Sequence, residues 1–449
     1  MGKYFGTDGI RGIANIDLTN ELAYKVGRFG AYVLTKHRDE GDITIVVGKD
    51  TRISCDMLEA SLLAGILSVG VNVVQAGVIP TPGISYLVKH EGFDAGVMIS
   101  ASHNSFDYNG IKFFNHEGFK LPDNIEEEIE SYLDGKELEK EIGPEAIGKL
   151  KRDESLKEHY ASYIKSLVEE DISPFRVVLD CANGATSELA ASIFSELGVD
   201  TLLLSHEPDG ININKDCGST HLDQLKQTLK DGDYDLGFAF DGDGDRVLAV
   251  DRHGEEVDGD KMLIILAKLL QTKGQLKEDT ITATVMSNLG FLNYANEVGF
   301  KVEITGVGDR YVLERMLDKG LSLGGEQSGH IILLDYNNTG DGILTAVKIL
   351  EALRVLDKPL SDFVEEIPRY PQVLLNAKVH KDKKKDFELN PTINARIKEI
   401  EEELEGKGRV LIRPSGTESL VRVMLEGEDE EKLMSYATEL KESYERELG

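Results

Sequence analysis

Nowhere in its 449 residues does the sequence hold an apolar run of about 18, so a membrane-spanning helix is not expected. The opening "MGKYFGTDGI" has no charged region followed by an apolar stretch, so a secretory leader is not expected either. Cysteine is scarce: Cys55, Cys181 and Cys217 stand far apart with no C-x-x-C. That spacing argues against a disulfide framework and for reduced thiols in a cytoplasmic protein. Basic residues are outnumbered, 50 Lys and Arg against 81 Asp and Glu, for a net charge of −31. A nucleic-acid partner is not expected, because a phosphate backbone needs a basic surface. The sequence also lacks G-x-x-x-x-G-K-[ST] and H-E-x-x-H, and "GVGDRY" (306–311) fails the dinucleotide pattern G-x-G-x-x-G.

Hydrophobic residues make up 41% of the chain, enough for a sizeable core. Apolar β-branched runs alternate with helical periodicity. "ITIVVG" (43–48), "MLEASLLAGILSVG" and "VNVVQAG" read as β-α-β. So do "FRVVLD" (175–180), "SELAASIFSELG" and "VDTLLL", and again "TITATV" (280–285), "LGFLNYANEVG" and "KVEITG". Three such units predict three related α/β domains with mainly parallel mixed sheets. After a stretch with three of the eleven prolines (356–372) the pattern changes to a small α+β domain. Charged stretches at 134–160 and 251–261 are candidate connections. The expected domains are 1–152, 153–254, 255–367 and 368–449.

Chemistry concentrates in a few loops. In "MISASHNSFDYNGIKFF" (98–114), Ser102, His103 and Asn104 follow a buried strand, and Lys112 returns within a second apolar run. A turn between two strands is the plain alternative, and Asn109-Gly110 is a turn signal. "FDGDGDR" (240–246) sets Asp241, Asp243 and Asp245 among glycines. Carboxylates this close repel, and a cation relieves them. All-oxygen ligation suits Mg²⁺. An EF-hand does not fit, since Arg246 and Arg252 stand at its sixth and twelfth positions; an exposed acidic turn is the alternative.

"RPSGTE" (413–418) combines an arginine fork, two hydroxyls and a glycine at a strand end, with Arg422 close behind. That is the make-up of a phosphate cradle, or of a surface turn. "GEQSGH" (325–330) offers Glu326 and Ser328 to sugar hydroxyls, or is a polar hairpin. "FGTDGIRG" (5–12) packs glycines around Asp8 and Arg11. Arg11, Lys112, Arg246, Arg310, Arg413 and Arg422 are all expected in glycine-rich loops at strand ends, where α/β sheets bind ligands.

Together these motifs resemble the α-D-phosphohexomutase superfamily, and within it the bacterial-type phosphoglucosamine mutases. The resemblance runs from "YFGTDGIRG" to "RPSGTE". "ASHN", "DGDGDR", "GEQSGH" and "RPSGTE" match the family's active-serine, metal, sugar and phosphate loops in order. It implies three related α/β domains and a smaller C-terminal domain around a central cleft, a homodimer, and Mg²⁺ as the metal. Ser102 would be the phosphoserine, supported by His103 and Asn104, with Mg²⁺ between it and Asp241, Asp243 and Asp245. Glu326 and Ser328 would bind sugar hydroxyls. Arg413, Ser415, Gly416, Thr417 and Arg422 would grip the phosphate that is not reacting. Arg246 and Arg310 would join the substrate site; Lys112, His330 and Arg11 would lie near the transferring group. One departure is visible: Ser105 stands where the family commonly has proline, which loosens the turn.

The implied reaction interconverts glucosamine 6-phosphate and glucosamine 1-phosphate through a hexose 1,6-bisphosphate, which also serves as activator, and feeds UDP-N-acetylglucosamine and cell-wall precursor synthesis. Phosphoglucomutase or phosphomannomutase activity, a non-catalytic phosphosugar-binding protein and a Ca²⁺-binding structural protein are the rivals. An intact Ser102 and three loop aspartates speak against the binding protein, and the EF-hand mismatch speaks against the Ca²⁺-binding one.

Overall fold

The computed structural model describes all residues except 1, 7, 38–41, 140–141, 381–382, 384–386, 388, 405–406 and 415–418. Among the described residues the strands form four sheets. The first holds β1 (Phe5–Gly6), β2 (Gly9–Ile13), β3 (Thr44–Lys49), β4 (Asn72–Val78), β5 (Ala95–Ile99), β6 (Tyr108–Phe114) and β7 (Leu150–Arg152), in the order β1-β2-β6-β5-β3-β4-β7. The second holds β8 (Arg176–Asp180), β9 (Asp200–Leu204), β10 (Leu236–Phe240), β11 (Val247–Asp251) and β12 (Glu256–Val257), ordered β12-β11-β10-β8-β9. The third holds β13 (Thr280–Thr284), β14 (Lys301–Thr305), β15 (Leu323–Gly325) and β16 (Ile331–Leu333), ordered β14-β13-β15-β16. The fourth is antiparallel: β17 (Gln372–Lys378), β18 (Gly408–Pro414) and β19 (Leu420–Gly427), ordered β17-β19-β18.

The three expected β-α-β units form, each as a parallel pair: β3 with β4, β8 with β9, β13 with β14. A common plan extends beyond them. In each sheet the first strand of the pair takes a further parallel neighbour, namely β5, β10 or β15. That neighbour then pairs antiparallel with β6, β11 or β16. The sheets are therefore mixed, parallel at the centre and antiparallel toward one edge. Every residue of β5 and β10 is buried, as central strands covered on both faces require. The serine, metal and sugar motifs occupy the same place in the three sheets, the connection from the parallel strand to its antiparallel neighbour.

The described residues segregate into two compact units, Met1–Met286 with Gly299–Glu366, and Ser287–Val298 with Ile367–Gly449. In the second unit, Val373, Val421, Val423 and Leu425 of the sheet pack with Leu433, Leu440 and Tyr444 of helix Glu430–Leu448. Helix Leu289–Glu297 belongs there too. Its cap residue Asn288 accepts from Gly290 N at 2.9 Å and from Tyr370 N at 2.9 Å.

Local signals were overruled at three places. Asn109-Gly110 lies inside β6 and is not a turn, because β6 is zipped to β2 on one side and β5 on the other. Asn109 satisfies its amide by donating to Ser54 Oγ at 2.8 Å, and its Oδ1 accepts from Gly110 N at 2.7 Å. The stretch at 134–160 is more than a connection, since it contributes β7 beside β4. The stretch at 251–261 holds β12, which folds back on β11.

Helices Asn20–Thr35 and Cys55–Leu67 cross at two glycines. A Cβ on Gly65 would sit 2.1 Å from the Tyr24 carbonyl oxygen, and one on Gly27 would sit 2.3 Å from that of Leu62. Neither backbone oxygen can move without shifting its helix. Replacing Gly65 by valine is expected to cost about 1–3 kcal/mol through this overpacking. Urea denaturation reads it as a lower midpoint; an unchanged midpoint would mean that the crossing relaxes freely.

Candidate active site

Ser102 stands in the connection between β5 and β6, buried, in the left-handed backbone region at φ 53°. A residue with a Cβ holds that conformation only where its surroundings impose it. Its Oγ donates to Asp241 Oδ2 at 2.6 Å and lies 3.4 Å from His103 Nδ1. Burial pushes the His103 imidazole down to about 4, and the guanidiniums of Arg246 and Arg11 push the same way. His103 is therefore neutral at pH 7. Arg246 Nη1 donates to its Nδ1 at 3.3 Å, which assigns the ring proton to Nε2. Asn104 enters through its main-chain carbonyl, which accepts from Arg52 and from Asn214.

The metal motif turns immediately after β10. One carboxylate oxygen from each of Asp241, Asp243 and Asp245 lies within 4.8 Å of the others, and all three residues are buried. A Cβ on Gly242 would meet the Ser102 carbonyl oxygen at 2.6 Å, so only glycine lets the two loops touch. Asp243 Oδ2 accepts from Lys112 Nζ at 2.8 Å and from Thr81 Oγ1 at 2.6 Å. For Asp245, burial alone would raise the pKa, but Lys112, His330 and Arg246 outweigh it and hold the carboxyl well below its usual range. Asp241 goes the other way, driven well up by burial and then by the charges of Asp245 and Asp243. It is the one carboxyl of the three left short of positive charge. Asp243 Oδ1 and Asp245 Oδ1 are buried with no hydrogen-bond partner among the described residues. Unanswered oxygens and an undercompensated carboxylate are what a hard cation would satisfy, so the donor set fits Mg²⁺.

Further cations stand around the aspartates and Asp8. Lys112, on β6, is buried, and its Nζ lies 3.0 Å from Asp8 Oδ2. Burial opposes its charge, yet Asp243, Asp8 and Asp245 together raise its pKa above the ordinary lysine value. Lys112 is therefore an ammonium at neutral pH. Arg11, on β2, pairs with Asp8. Lys120 bridges Asp8 Oδ1 and Asp309 Oδ2, each at 2.5 Å. His330 is buried, with Nε2 accepting from Gly340 N at 3.0 Å and Nδ1 facing Asp245 Oδ2 at 3.7 Å. Both of its nitrogens are thus engaged.

Glu326 and Ser328 lie in the turn between β15 and β16. Glu326 Oε1 accepts from Gly308 N at 3.1 Å, and Ser328 is exposed. Arg310 opens helix Asp309–Lys319, and its guanidinium pairs with Asp123 and Glu314. In the C-terminal unit Arg413 and Arg422 stand opposite each other on β18 and β19. Burial and then Arg422 lower the Arg413 pKa. Two like charges held face to face favour an anion between them. Ser415, Gly416 and Thr417 lie outside the described residues.

Arg11, Lys112 and Arg246 thus gather around the aspartates. Of the six cations expected in loops, Arg11, Lys112, Arg413 and Arg422 sit in strands, whose pleat fixes their direction. The motifs did not reveal Asp50, Arg52, Thr81, Lys120, Asn214 or Asp309 as part of the site. "KDTR" (49–52), an acid and an arginine just past a buried strand, was the one available signal.

All four models of the phosphoglucomutase/phosphomannomutase family match in order. The α/β/α domains I, II and III fall on residues 2–140, 158–254 and 258–370, and the C-terminal domain on 374–443. The chain is 53% identical over 452 residues to the phosphoglucosamine mutase of Caldicellulosiruptor saccharolyticus, covering 100% of both. It is 51% identical to that of Clostridium acetobutylicum, again over 100% of both. Among solved structures, a phosphoglucomutase/phosphomannomutase family protein from Burkholderia thailandensis shares the fold with a TM-score of 0.81 and 23% identity, over 99% of this chain and 98% of that one. N-acetylphosphoglucosamine mutase from Aspergillus fumigatus, solved with GlcNAc-6P and magnesium, shares it with a TM-score of 0.67 and 16% identity, over 99% and 95%.

The neutral His103 gives a pH test. An unfolded imidazole titrates near ~6.5. The native ring, with its pKa at about 4, binds its proton only at lower pH, so the stability His103 contributes is whole above the unfolded value and is lost as pH falls through that window. NMR of the ring protons is expected to show a midpoint near the lower value; a midpoint at the ordinary one would contradict this environment.

Proposed function

Because the chain belongs to the phosphoglucosamine mutase family of the phosphohexomutases, we propose that it interconverts glucosamine 6-phosphate and glucosamine 1-phosphate by way of a phosphoserine. The observation that carries the reading is the contact of Ser102 Oγ with Asp241, the carboxyl of the buried triad that lacks a cation of its own. A nucleophile that becomes phosphorylated there gains a partner for the metal that the triad would hold.

Asp241, Asp243 and Asp245 would hold Mg²⁺, with an oxygen of phosphorylated Ser102 beside it. Bound there, the ion would offset the charge of the phosphoryl oxygens. The remaining work falls to the chain's own groups. Phosphoryl transfer passes through a loose transition state with charge on the equatorial oxygens, so catalysis is positioning and electrostatics. Lys112, fixed as an ammonium, and Arg246 and Arg11 supply positive charge. At neutral pH Lys112 keeps its proton and so acts as a fixed positive charge. Neutral His103, with Nδ1 toward Ser102 and Arg246, orients the serine. His330, held at both nitrogens, orients Asp245. Glu326 and Ser328 receive the sugar hydroxyls.

The steps balance as follows. A hydroxyl oxygen of glucosamine 6-phosphate attacks the phosphorus of phospho-Ser102. The Ser102 Oγ–P bond breaks, and the hydroxyl proton passes to the serine oxygen, leaving the 1,6-bisphosphate. Ser102 Oγ then attacks the phosphorus of the 6-phosphate; the O6–P bond breaks, the serine proton passes to the sugar O6, and glucosamine 1-phosphate leaves with Ser102 phosphorylated again. A trace of hexose 1,6-bisphosphate would phosphorylate Ser102 at the outset. Arg413 and Arg422 would take the phosphate that is not reacting, together with Ser415, Gly416 and Thr417; Arg310 would assist at the substrate. We also propose a homodimer at work in the cytoplasm. The support for the compartment is three buried, unpaired cysteines. Among the described residues no helix is long and apolar enough to cross a membrane.

³¹P NMR with Mg²⁺ and a trace of hexose 1,6-bisphosphate tests the reading. A 1-phosphate signal is expected to grow fastest from glucosamine 6-phosphate; faster conversion of glucose or mannose 6-phosphate would reassign the sugar. Ser102→Ala is expected to abolish turnover with fold and metal binding intact, and substantial residual turnover would sink the phosphoserine route. Arg413→Ala is expected to weaken phosphosugar binding by ~2–5 kcal/mol. Calorimetry showing unchanged affinity would remove Arg413 from the site.

A further inference from the structure

One buried guanidinium has all five of its N–H groups engaged, and four of them go to a single loop. Arg52, just past β3, has a fully buried side chain, as does Asp50 beside it. Its Nε donates to Asp50 Oδ2 at 2.8 Å. Its Nη2 donates to the carbonyl oxygens of Ser102 at 2.9 Å and Asn104 at 2.8 Å. Its Nη1 donates to those of Tyr108 at 3.0 Å and Ser105. An arginine has five donors, and here each has an acceptor. Asp50 ties the arginine back to the same loop, because its Oδ2 also accepts from Ser100 Oγ at 2.6 Å. From the second sheet's side, Asn214 Nδ2 donates to the Ser102 and Asn104 carbonyls, each at 2.9 Å.

A buried charge that served only to stabilise the fold would find its partners anywhere. This one gathers four carbonyls from a seven-residue stretch that contains the serine. It turns them inward, as the left-handed backbone of Ser102 demands. We propose that Arg52 is the positioning residue of the serine loop: with Asp50 as its anchor and Asn214 as a second brace, it holds Ser102 Oγ in line for transfer. The proposal rests on the mutase reading above. Lysine cannot replace it, since a point charge with three donors does not match four carbonyls and a carboxylate.

The full-length chain tests this as Arg52→Lys and, separately, Asn214→Ala. Kinetics with glucosamine 6-phosphate are read alongside hydrogen–deuterium exchange of peptides covering residues 100–110 and of peptides covering β10 and β11. In Arg52→Lys, kcat is expected to fall about 100-fold, the effect of a displacement of about 1 Å at a reacting group. KM should stay within about twofold, since the lost interaction is not with bound sugar. Exchange at 100–110 should quicken about tenfold while β10 and β11 keep their protection. Asn214→Ala should change the same quantities by less. The proposal is overturned if kcat in both variants stays near wild type, if kcat falls without faster exchange at 100–110, or if β10 and β11 loosen equally. Should Arg52→Lys fail to fold, Asn214→Ala decides by the same criteria. Were the wild type inactive on every phosphosugar, the mutase reading would fall, and the exchange comparison would still report whether the brace holds the loop.

Discussion

Three carboxylates buried in a five-residue turn set the terms for the first unit. Asp241, Asp243 and Asp245 cannot all be charged in a site that excludes water unless positive charge is brought to them. The chain brings it from far away. Lys112 comes from the first sheet, Arg246 from the loop itself, and His330 from the third sheet, with Lys120 and Arg11 behind them on Asp8. The compensation is uneven. The charge of Asp245 is well compensated, while Asp241 has the Ser102 hydroxyl, the Arg246 main-chain N–H and the Arg246 charge, which do not offset its burial and its two acidic neighbours. That imbalance aims the site, because the uncompensated side is the side where the serine stands.

The division of labour follows the repeated sheet plan. Each of the first three sheets ends its parallel run with a strand that hands over to an antiparallel neighbour, and the chain between the two is where side chains emerge beyond the strand ends. One copy of that connection carries Ser102, one the three carboxylates, one Glu326 and Ser328. No single sheet could do the chemistry. The contacts between loops, such as the approach of Gly242 to the Ser102 carbonyl, are as much a part of the site as the side chains.

How much of this was legible in the sequence depended on how local each signal is. The β-α-β units and the aspartate loop were readable because apolar periodicity and clustered charge are contained in short windows. The loop arrangement around Ser102 was readable as a motif, but what holds it was not. Arg52 is fifty positions from Ser102, and a lone arginine in a chain with 29% charged residues draws no notice. Lys120 and Thr81 were silent for the same reason. Ser105, expected to loosen the turn for want of proline, has its carbonyl held by Arg52, so stiffness lost from the local sequence is regained at a distance. The charged segment "LKR" gave no sign of β7 because that strand is exposed along its length. Strand placement of Arg11 and Lys112 was missed because glycines around them read as loop, whereas the ladder with neighbouring strands decided the matter.

The Asn109-Gly110 pair has a bearing on how the protein ages. In a flexible chain such a pair is chemically short-lived, because the glycine nitrogen can swing round to attack the asparagine side-chain carbonyl and release ammonia. Here that nitrogen is a hydrogen-bond donor to the oxygen of the same carbonyl, both residues pair with β2, and the Gly110 carbonyl accepts from Ser100 N on the other side. With its hydrogen engaged and its backbone fixed in the ladder, the nitrogen is not free to lose its proton and turn onto the carbon. The reaction is then confined to molecules that have opened this sheet, and the accumulation of aspartate and isoaspartate at position 109 becomes a clock of how often the first sheet comes apart.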